Sequence, residues 1–520
     1  MPDRIDVVIV GGGHNGLVAA CYLAMAGKRV RILEAQDRLG GASISAKVFP
    51  GVDASLSKYA YLVSLMPHQL RKDLGLNLRT IKRRHSSYTP DPLNPALGIL
   101  IPREDDAALD ASIERLTGST RDADAWRAFY ARTAKLARAV FPTLMEPLRS
   151  RAQMAELVGD RELWRDFVER PIGEVIERSF HDDLVRGIVL TDGLIGTFSH
   201  AHDASLRQNQ CFLYHVIGNG TGDWDVPVGG MGALTRALQD RAEELQVEIT
   251  TGAPVTGIEA NGVRALVRAQ TALGQLRIDC QEVLVNCAPA VLDRLLGRTP
   301  APMPYEDAGA QIKVNMLLKR LPRLRDASVD PIDAFSGTFH VNESYRQLAA
   351  AHGVAGRGDL PTPIPAEIYS HSLTDPTILG ADLQASGAQT MTVFALQTPH
   401  ALFANGDEKV RKRALRSVID SLNSVLAEPI EGCLMSDANG RPCIEVHTTA
   451  DLEQDLRIPG GNIFHTPLDW PFVDDPAQVG TWGVESDIPN VTLCGSGARR
   501  GGGVSGIPGQ NAAYYVLTKR

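Results

Sequence analysis

No two of the seven cysteines (Cys21, Cys211, Cys280, Cys287, Cys433, Cys443 and Cys494) stand in C-x-x-C spacing. That excludes a zinc knuckle and a thioredoxin-like redox pair. No other metal-ligand spacing is visible, so no metal is expected. An odd, scattered set of thiols fits burial in a reducing compartment. No run reaches the ~18–20 apolar residues of a membrane span. The opening residues, MPDRIDVVIVGGG, lack the charged region, long apolar stretch and cleavage site of a secretory signal. There is no basic surplus either: the formal net charge is −8, which argues against a nucleic-acid partner. A cytoplasmic location is expected, with peripheral membrane contact left open because an oily substrate could require it. The oligomeric state is not legible.

At 520 residues the chain exceeds one compact core, and two or three structural units are expected. Ile5 to Val10 reads IDVVIV, a β-branched run suited to a strand buried on both faces of a parallel sheet. GGGHNG follows, with Gly11, Gly13 and Gly16 on G-x-G-x-x-G spacing. Leu17 to Ala26 is a run of helix formers closed by Gly27, and Val30 to Leu33 is a second strand ending at Glu34. Each part has a job in holding a dinucleotide. Gly11 permits the tight turn, Gly13 lets the backbone approach a pyrophosphate, and Gly16 lets the helix pack on the sheet. The helix N-terminus offers N–H groups and a positive dipole end to the phosphates. Glu34 lies ~20 residues on, where a carboxylate accepts hydrogen bonds from a ribose.

Two later stretches carry further glycine-rich loops, each followed by a helix. DVPVGGMGALTRALQDRAEEL predicts a loop at Pro227 to Gly232, then a helix from about Ala233 to Leu245. Strands are expected at Val247 to Ile249, Val255 to Gly262 and Glu282 to Cys287. At the C-terminus, Val491 to Cys494 predicts a strand, and glycine is dense from Gly495 to Gly509 before a helix near Gln510 and Asn511. Such loops bring backbone N–H groups close to a ligand. A helix N-terminus there can stabilise negative charge on a bound ligand. There is no second strand–glycine loop–helix unit: GVAGRGDLP at Gly353 to Pro361 has the glycines, but prolines follow it. So no second, NAD(P)H-type site is expected; a redox cofactor in the first site should pass its electrons to oxygen, a quinone or a protein carrier.

After Glu34 the string continues through Arg38, Gly40 and Gly41. This E-x-x-x-R-x-G-G extension resembles the flavin amine oxidase and carotenoid desaturase superfamily, and it favours FAD over NAD. PVGGMGALTRAL, PGGNIFH and LCGSGARRGGGVSGIPGQNAA, in that order, resemble the phytoene desaturase-like flavoproteins. The nearest branch looks like the pyridine nucleotide-disulphide oxidoreductase domain-containing proteins. The clear resemblance covers roughly a third of the chain. It implies an α/β fold: a Rossmann-type FAD domain, mostly parallel sheet with helices on both faces, built from discontinuous segments, plus an α+β substrate domain. The boundaries expected are 1–74, 223–297 and 476–520 for the FAD domain, and 75–222 and 298–475 for the substrate domain. It further implies FAD contacts at Gly11, Gly13, His14, Asn15, Gly16, Glu34, Ala35, Arg38, Gly40, Gly41, Ala42, Gly230, Met231, Val255, Gly495, Ser496, Gly503, Val504, Gly506 and Asn511, with Val255 packing beside the adenine.

On the substrate side, Glu104 to Ser150 predicts helices, and Trp164 to Arg178 two short helices broken at Pro171. FSHAH (Phe198 to His202) and Tyr214-His215 are polar-aromatic clusters. His465, expected after a glycine turn and a short apolar strand, is the candidate to take a proton while hydride leaves the substrate. The alternative is a structural histidine anchoring the turn. Arg500 stands where the resembled family commonly has proline. With Arg499 it either contacts flavin or a polar substrate, or forms a solvated pair; contact is the reading taken. The expected activity is a dehydrogenase or desaturase moving hydride from a small organic, isoprenoid-like or polar substrate onto flavin N5. An amine-type oxidase on the same fold and a non-redox, flavin-bound isomerase or interaction protein are the alternatives.

Overall fold

The computed structural model describes residues 5–63, 65–222 and 224–519; Met1–Arg4, where the N-terminal reading begins, and Asp223, where the second FAD segment was expected to begin, lie outside them. Strand Val7–Val10 is buried at all four positions, as its unbroken β-branched run predicts. It centres a five-stranded parallel sheet. On one side lie Val30–Leu33 and Glu248–Thr250, on the other Glu282–Val285 and Val491–Leu493. The strands come from three separated stretches of chain.

The helix opening at the glycine loop runs His14–Met25, three residues earlier than the hydrophobic run suggests. The loop residues themselves wind into its first turn. Ten of its residues are buried, because it is packed between the helices Met231–Glu244 and Ile507–Thr518. Both of those start earlier than expected, at Met231 and Ile507, again because glycine-loop residues enter the first turn. The predicted strand at Val255 does not join the parallel sheet. Val255–Ala260 pairs antiparallel with Ala265–Thr271, which pairs with Gly274–Cys280, in a separate meander.

The second layer is a mixed seven-stranded sheet. Its order is Ile444–His447, Ile312–Leu318, Gln389–Ala395, Ala366–Tyr369, Thr338–Val341, His85–Pro90, Gly98–Pro102. Every neighbouring pair is antiparallel except Thr338–Val341 with His85–Pro90. Helices between Asp106 and Val216 form a cap with its own apolar core around Phe129, Phe167, Phe180 and Phe212. Pro171 does break the chain there, but the first helix begins at Arg161 and passes through a wide turn at Arg165–Glu169 before Ile172–Ser179.

The C-terminal helix lies so close to the opening helix that a Cβ on Gly509 would stand 2.1 Å from the Asn15 carbonyl oxygen. Gly509→Ala should therefore lower stability by ~1–3 kcal/mol, read by urea unfolding. Gly432→Ala, where nothing lies within 4 Å, is the neutral control.

Candidate functional site

Gly11 leaves the first strand at a φ of 99°, in the left-handed region where a side chain is strained. That turn aims the loop at the second strand's end. The Gly12 N–H donates to Glu34 Oε2 at 2.7 Å, and the Gln36 N–H donates to Oε1 at 2.8 Å. Glu34 thus braces the loop from below, and each oxygen keeps a lone pair for a ligand hydroxyl. Gly13 and Gly16 admit a partner the sequence gives little hint of. A Cβ at either would lie 3.0 Å or 2.8 Å from Asn286 Nδ2, and that amide donates to the Gly11 carbonyl at 3.1 Å.

Above the loop lies a cavity of about 310 Å³. Gly11, Gly13, His14, Glu34, Ala35, Gly41, Ala42, Val255, Ser496, Gly503 and Val504 line one end. Tyr61, Leu62, Ile195, Trp224, Phe394, Ile463 and Phe464 line the rest, with Lys313, Gln311, His215, His447, Arg457 and His465 as polar members, and Tyr214 joins the two sets because its hydroxyl accepts from the Gly503 N–H. The glycine-lined end fits a dinucleotide. Buried His14 Nε2 and His465 Nδ1 lack partners among the described residues, and buried polar atoms are rarely left so. Both belong to cavity-lining residues, so a polar ligand in the cavity would satisfy them.

Other expected contacts support the wall instead of forming it. Gly16 and Gly495 pack against Asn286, and Asn15 Nδ2 donates to Ser496 Oγ at 3.4 Å. Gly40 is bridged to Gly13. The Met231 N–H donates to Ser57 Oγ at 3.2 Å, and Gly230 turns at a φ of 71° beside Ser45. Gly506 packs on Val18 and Leu70, and Asn511 Nδ2 donates to the Leu144 carbonyl at 3.0 Å.

Three expectations are corrected. Arg38 pairs with Asp37 at 3.5 Å and acts through its charge on the cavity-lining Tyr59, but is not itself among the lining residues. Arg500 is only 7 % exposed, but it faces the protein: its guanidinium donates to the carbonyls of Thr143, Glu146 and Trp482. Arg499 donates to the carbonyls of Trp470 and Phe472 and pairs with Asp469. Neither arginine lines the cavity. Both are fastened to backbone carbonyls. The strand expected before His465 is also absent: a turn at Pro459–Gly461 leads on, and His465 adopts a φ of 69°.

Burial sets the protonation of the polar wall. It lowers His14, His215 and His465 each to about 4, so all three are neutral near pH 7. Lys313, which sequence reading passed over, is 4 % exposed in a strand buried at all seven positions. Its Nζ donates to the carbonyls of Ser57 at 2.5 Å and Tyr59 at 2.8 Å, and burial lowers it to about 7. A lone lysine inside an apolar strand was the available signal.

Comparison with known proteins agrees with this geometry. The family described as flavin containing amine oxidoreductase matches residues 16–351. An uncharacterized protein of Mycobacterium tuberculosis is 49% identical over 99% of this chain and 97% of its own. The mouse pyridine nucleotide-disulfide oxidoreductase domain-containing protein 2 is 28% identical over 99% of this chain and 94% of its own, in keeping with the branch the motifs resemble. The solved structure of cyclohexylamine oxidase from Brevibacterium oxydans IH-35A shares the fold, with a TM-score of 0.57 at 14% identity over 100% of both chains. The chain belongs to the flavin-containing amine oxidoreductase family, and FAD is its cofactor.

Proposed function

We propose that this FAD-dependent oxidoreductase dehydrogenates a predominantly apolar, isoprenoid-like substrate, seated in the aromatic end of the cavity. The observation that carries this reading is the pairing of an apolar wall with one enclosed amine, Lys313. A small-molecule substrate and an electron acceptor follow from the family. Oxygen, a quinone and a protein carrier are all compatible acceptors.

FAD, when bound, supplies the two-electron acceptor for hydride. The residues proposed to hold it are Gly11, Gly13, Glu34 and Ala35 with Val255, Ser496, Gly503 and Val504. The apolar wall excludes water, which strengthens every charge interaction inside. A neutral Lys313 uses its two N–H bonds on the Ser57 and Tyr59 carbonyls, leaving its lone pair to take the substrate proton. The groups around it are Glu445, which raises its proton affinity, the Tyr61 ring 5.3 Å away, and His371, which is neutral because burial lowers it to about 3. His447 stands opposite Lys313 on the next strand. His465, neutral and at the cavity wall, is assigned to the flavin side.

Anaerobic mixing with a panel of terpenoid alkenes, alcohols and amines tests the substrate class. Bleaching of the visible flavin band by apolar, non-basic compounds supports the proposal. Bleaching by amines alone, with hydrogen peroxide released in air, would replace it by the amine-oxidase reading. With a substrate in hand, kcat/KM of the wild type should climb as pH rises through about 7 and then level off. Lys313→Met should lose that limb and ~10²–10⁴-fold in kcat while keeping its FAD; an unaltered rate would remove the lysine from the chemistry. Separately, Glu34→Ala removes two charge-assisted hydrogen bonds from the loop. It should weaken FAD retention by ~1.5–3 kcal/mol, measured by fluorescence titration of the apoprotein.

A further inference from the structure

The row of side chains that carries Lys313 continues beyond the cavity. Lys313 opposes Phe394, Phe394 opposes Glu367, and Glu367 opposes His340, each as a direct cross-strand pair. Opposed residues share a face, so Glu367 stands two strand spacings, ~10 Å, from Lys313. A third side chain joins this pair from the chain just past the strand Thr338–Val341. Asn342 takes a φ of 56°, turning Glu343 back before Ser344 caps the helix Tyr345–Ala355.

His340, Glu343 and Glu367 are 4 %, 0 % and 1 % exposed. One nitrogen or oxygen of each lies within 4.8 Å of the others. His340 Nδ1 is 2.9 Å from Thr89 Oγ1, an arrangement that orients a ring and leaves its second nitrogen for a ligand. The Tyr369 hydroxyl donates to one oxygen of Glu367 at 2.5 Å, and the Thr191 hydroxyl to the other at 3.5 Å. Glu343 is different: among the described residues neither of its oxygens has a hydrogen-bond partner. A carboxylate buried in that state is costly unless something positive or protic meets it.

Charge points the same way. Burial and the two carboxyls' effect on one another hold both in their neutral form: Glu367 is pushed up to about 8 and Glu343 well above the usual carboxylate range. A divalent cation seated between them would supply the positive charge that lets both ionise. We propose that His340, Glu343 and Glu367 bind a divalent first-row cation, Zn²⁺ or Mn²⁺, between the seven-stranded sheet and the helical cap. One imidazole with two carboxylates and no sulfur suits these ions better than Cu(I) or an iron–sulfur cluster. Atoms bound to one ion at ~2.0–2.2 Å lie at most ~4.4 Å apart, so a small side-chain adjustment closes the set. The cation would fasten the roof of the cavity to the helix Asp183–Thr191. Gly187 of that helix lies so close that a Cβ there would overlap the Glu343 carbonyl. The linear spacing gave no metal site, because residue 367 reaches the other two only through sheet pairing.

The test uses FAD-loaded enzyme, stripped with EDTA, reloaded with Zn²⁺ or Mn²⁺ and desalted, with metal counted by mass spectrometry and melting followed in parallel. The expected result is about one equivalent per chain with a raised melting temperature. Glu343→Gln, a near-isosteric change, should weaken binding by at least ~10-fold and abolish the metal-dependent melting shift, with FAD content unchanged. Wild-type enzyme that retains less than a tenth of an equivalent of either ion would overturn the proposal and leave a proton-sharing carboxyl pair in its place. Binding to Glu343→Gln as tight as to wild type would overturn it too. If that variant fails to fold, the wild-type count and melting shift decide alone.

Discussion

One side-chain amide ties the three stretches of the parallel sheet together. Asn286 follows the strand Glu282–Val285, and its backbone N–H donates to the Val10 carbonyl at 2.8 Å. Its side chain donates to Gly11, and its backbone lies against Gly495, where a Cβ would stand 3.1 Å away. The opening loop, the middle segment and the C-terminal loop therefore meet on one residue. Each approach depends on a glycine at the point of contact. A bulkier residue at Gly13, Gly16 or Gly495 would push the loops apart before any ligand arrived. The glycines thus serve this junction as much as they serve a phosphate.

The cavity follows from how the two sheets are joined. The parallel sheet offers backbone amides, helix N-termini and the Glu34 carboxylate at one end, all fixed by main-chain geometry. The seven-stranded sheet offers side chains, and its row facing the cavity and helical cap is unusually polar for a buried surface: His447, Lys313, Glu367 and His340, interrupted by Phe394. Its opposite face is ordinary core, with Val314, Ile368 and Phe339 buried. Placing ionisable groups in a strand interior costs solvation. A sheet that needed only to cover the flavin could have filled both faces with aliphatic residues.

The sequence was most legible where structure is local. The strand, glycine loop, helix and Glu34 lie within one βαβ stretch, so their spacing alone reports the site. Helix starts were misplaced by two or three residues because glycine-loop residues wind into first turns. Arg499 and Arg500 were misread for a different reason. A charged pair beside a glycine-rich loop looks like a ligand contact, yet the carbonyls that claim both guanidiniums come from remote turns near Thr143, Glu146, Trp470 and Trp482. Sequence neighbours say nothing about such partners. Lys313, His340 and Glu367 escaped notice because each stands in a short apolar strand, where periodicity reads as core.

Those three residues suggest what a sequence reading should have weighed. IKVNMLL, TFHV and AEIY are all buried strands that each hold a titratable side chain. One such residue is readily a satisfied core polar group. Three on one face of one sheet are a different matter, because antiparallel pairing brings separate irregularities into a single row, broken only at Phe394. Register fixes that row: a slip of one residue in Ala366–Tyr369 would send Glu367 into the aliphatic face and Ile368 into the polar one. The aliphatic packing of Ile368, Phe339 and Val314 thus enforces the position of the ionisable groups on the other side. The core of the roof and its chemistry are two faces of the same register.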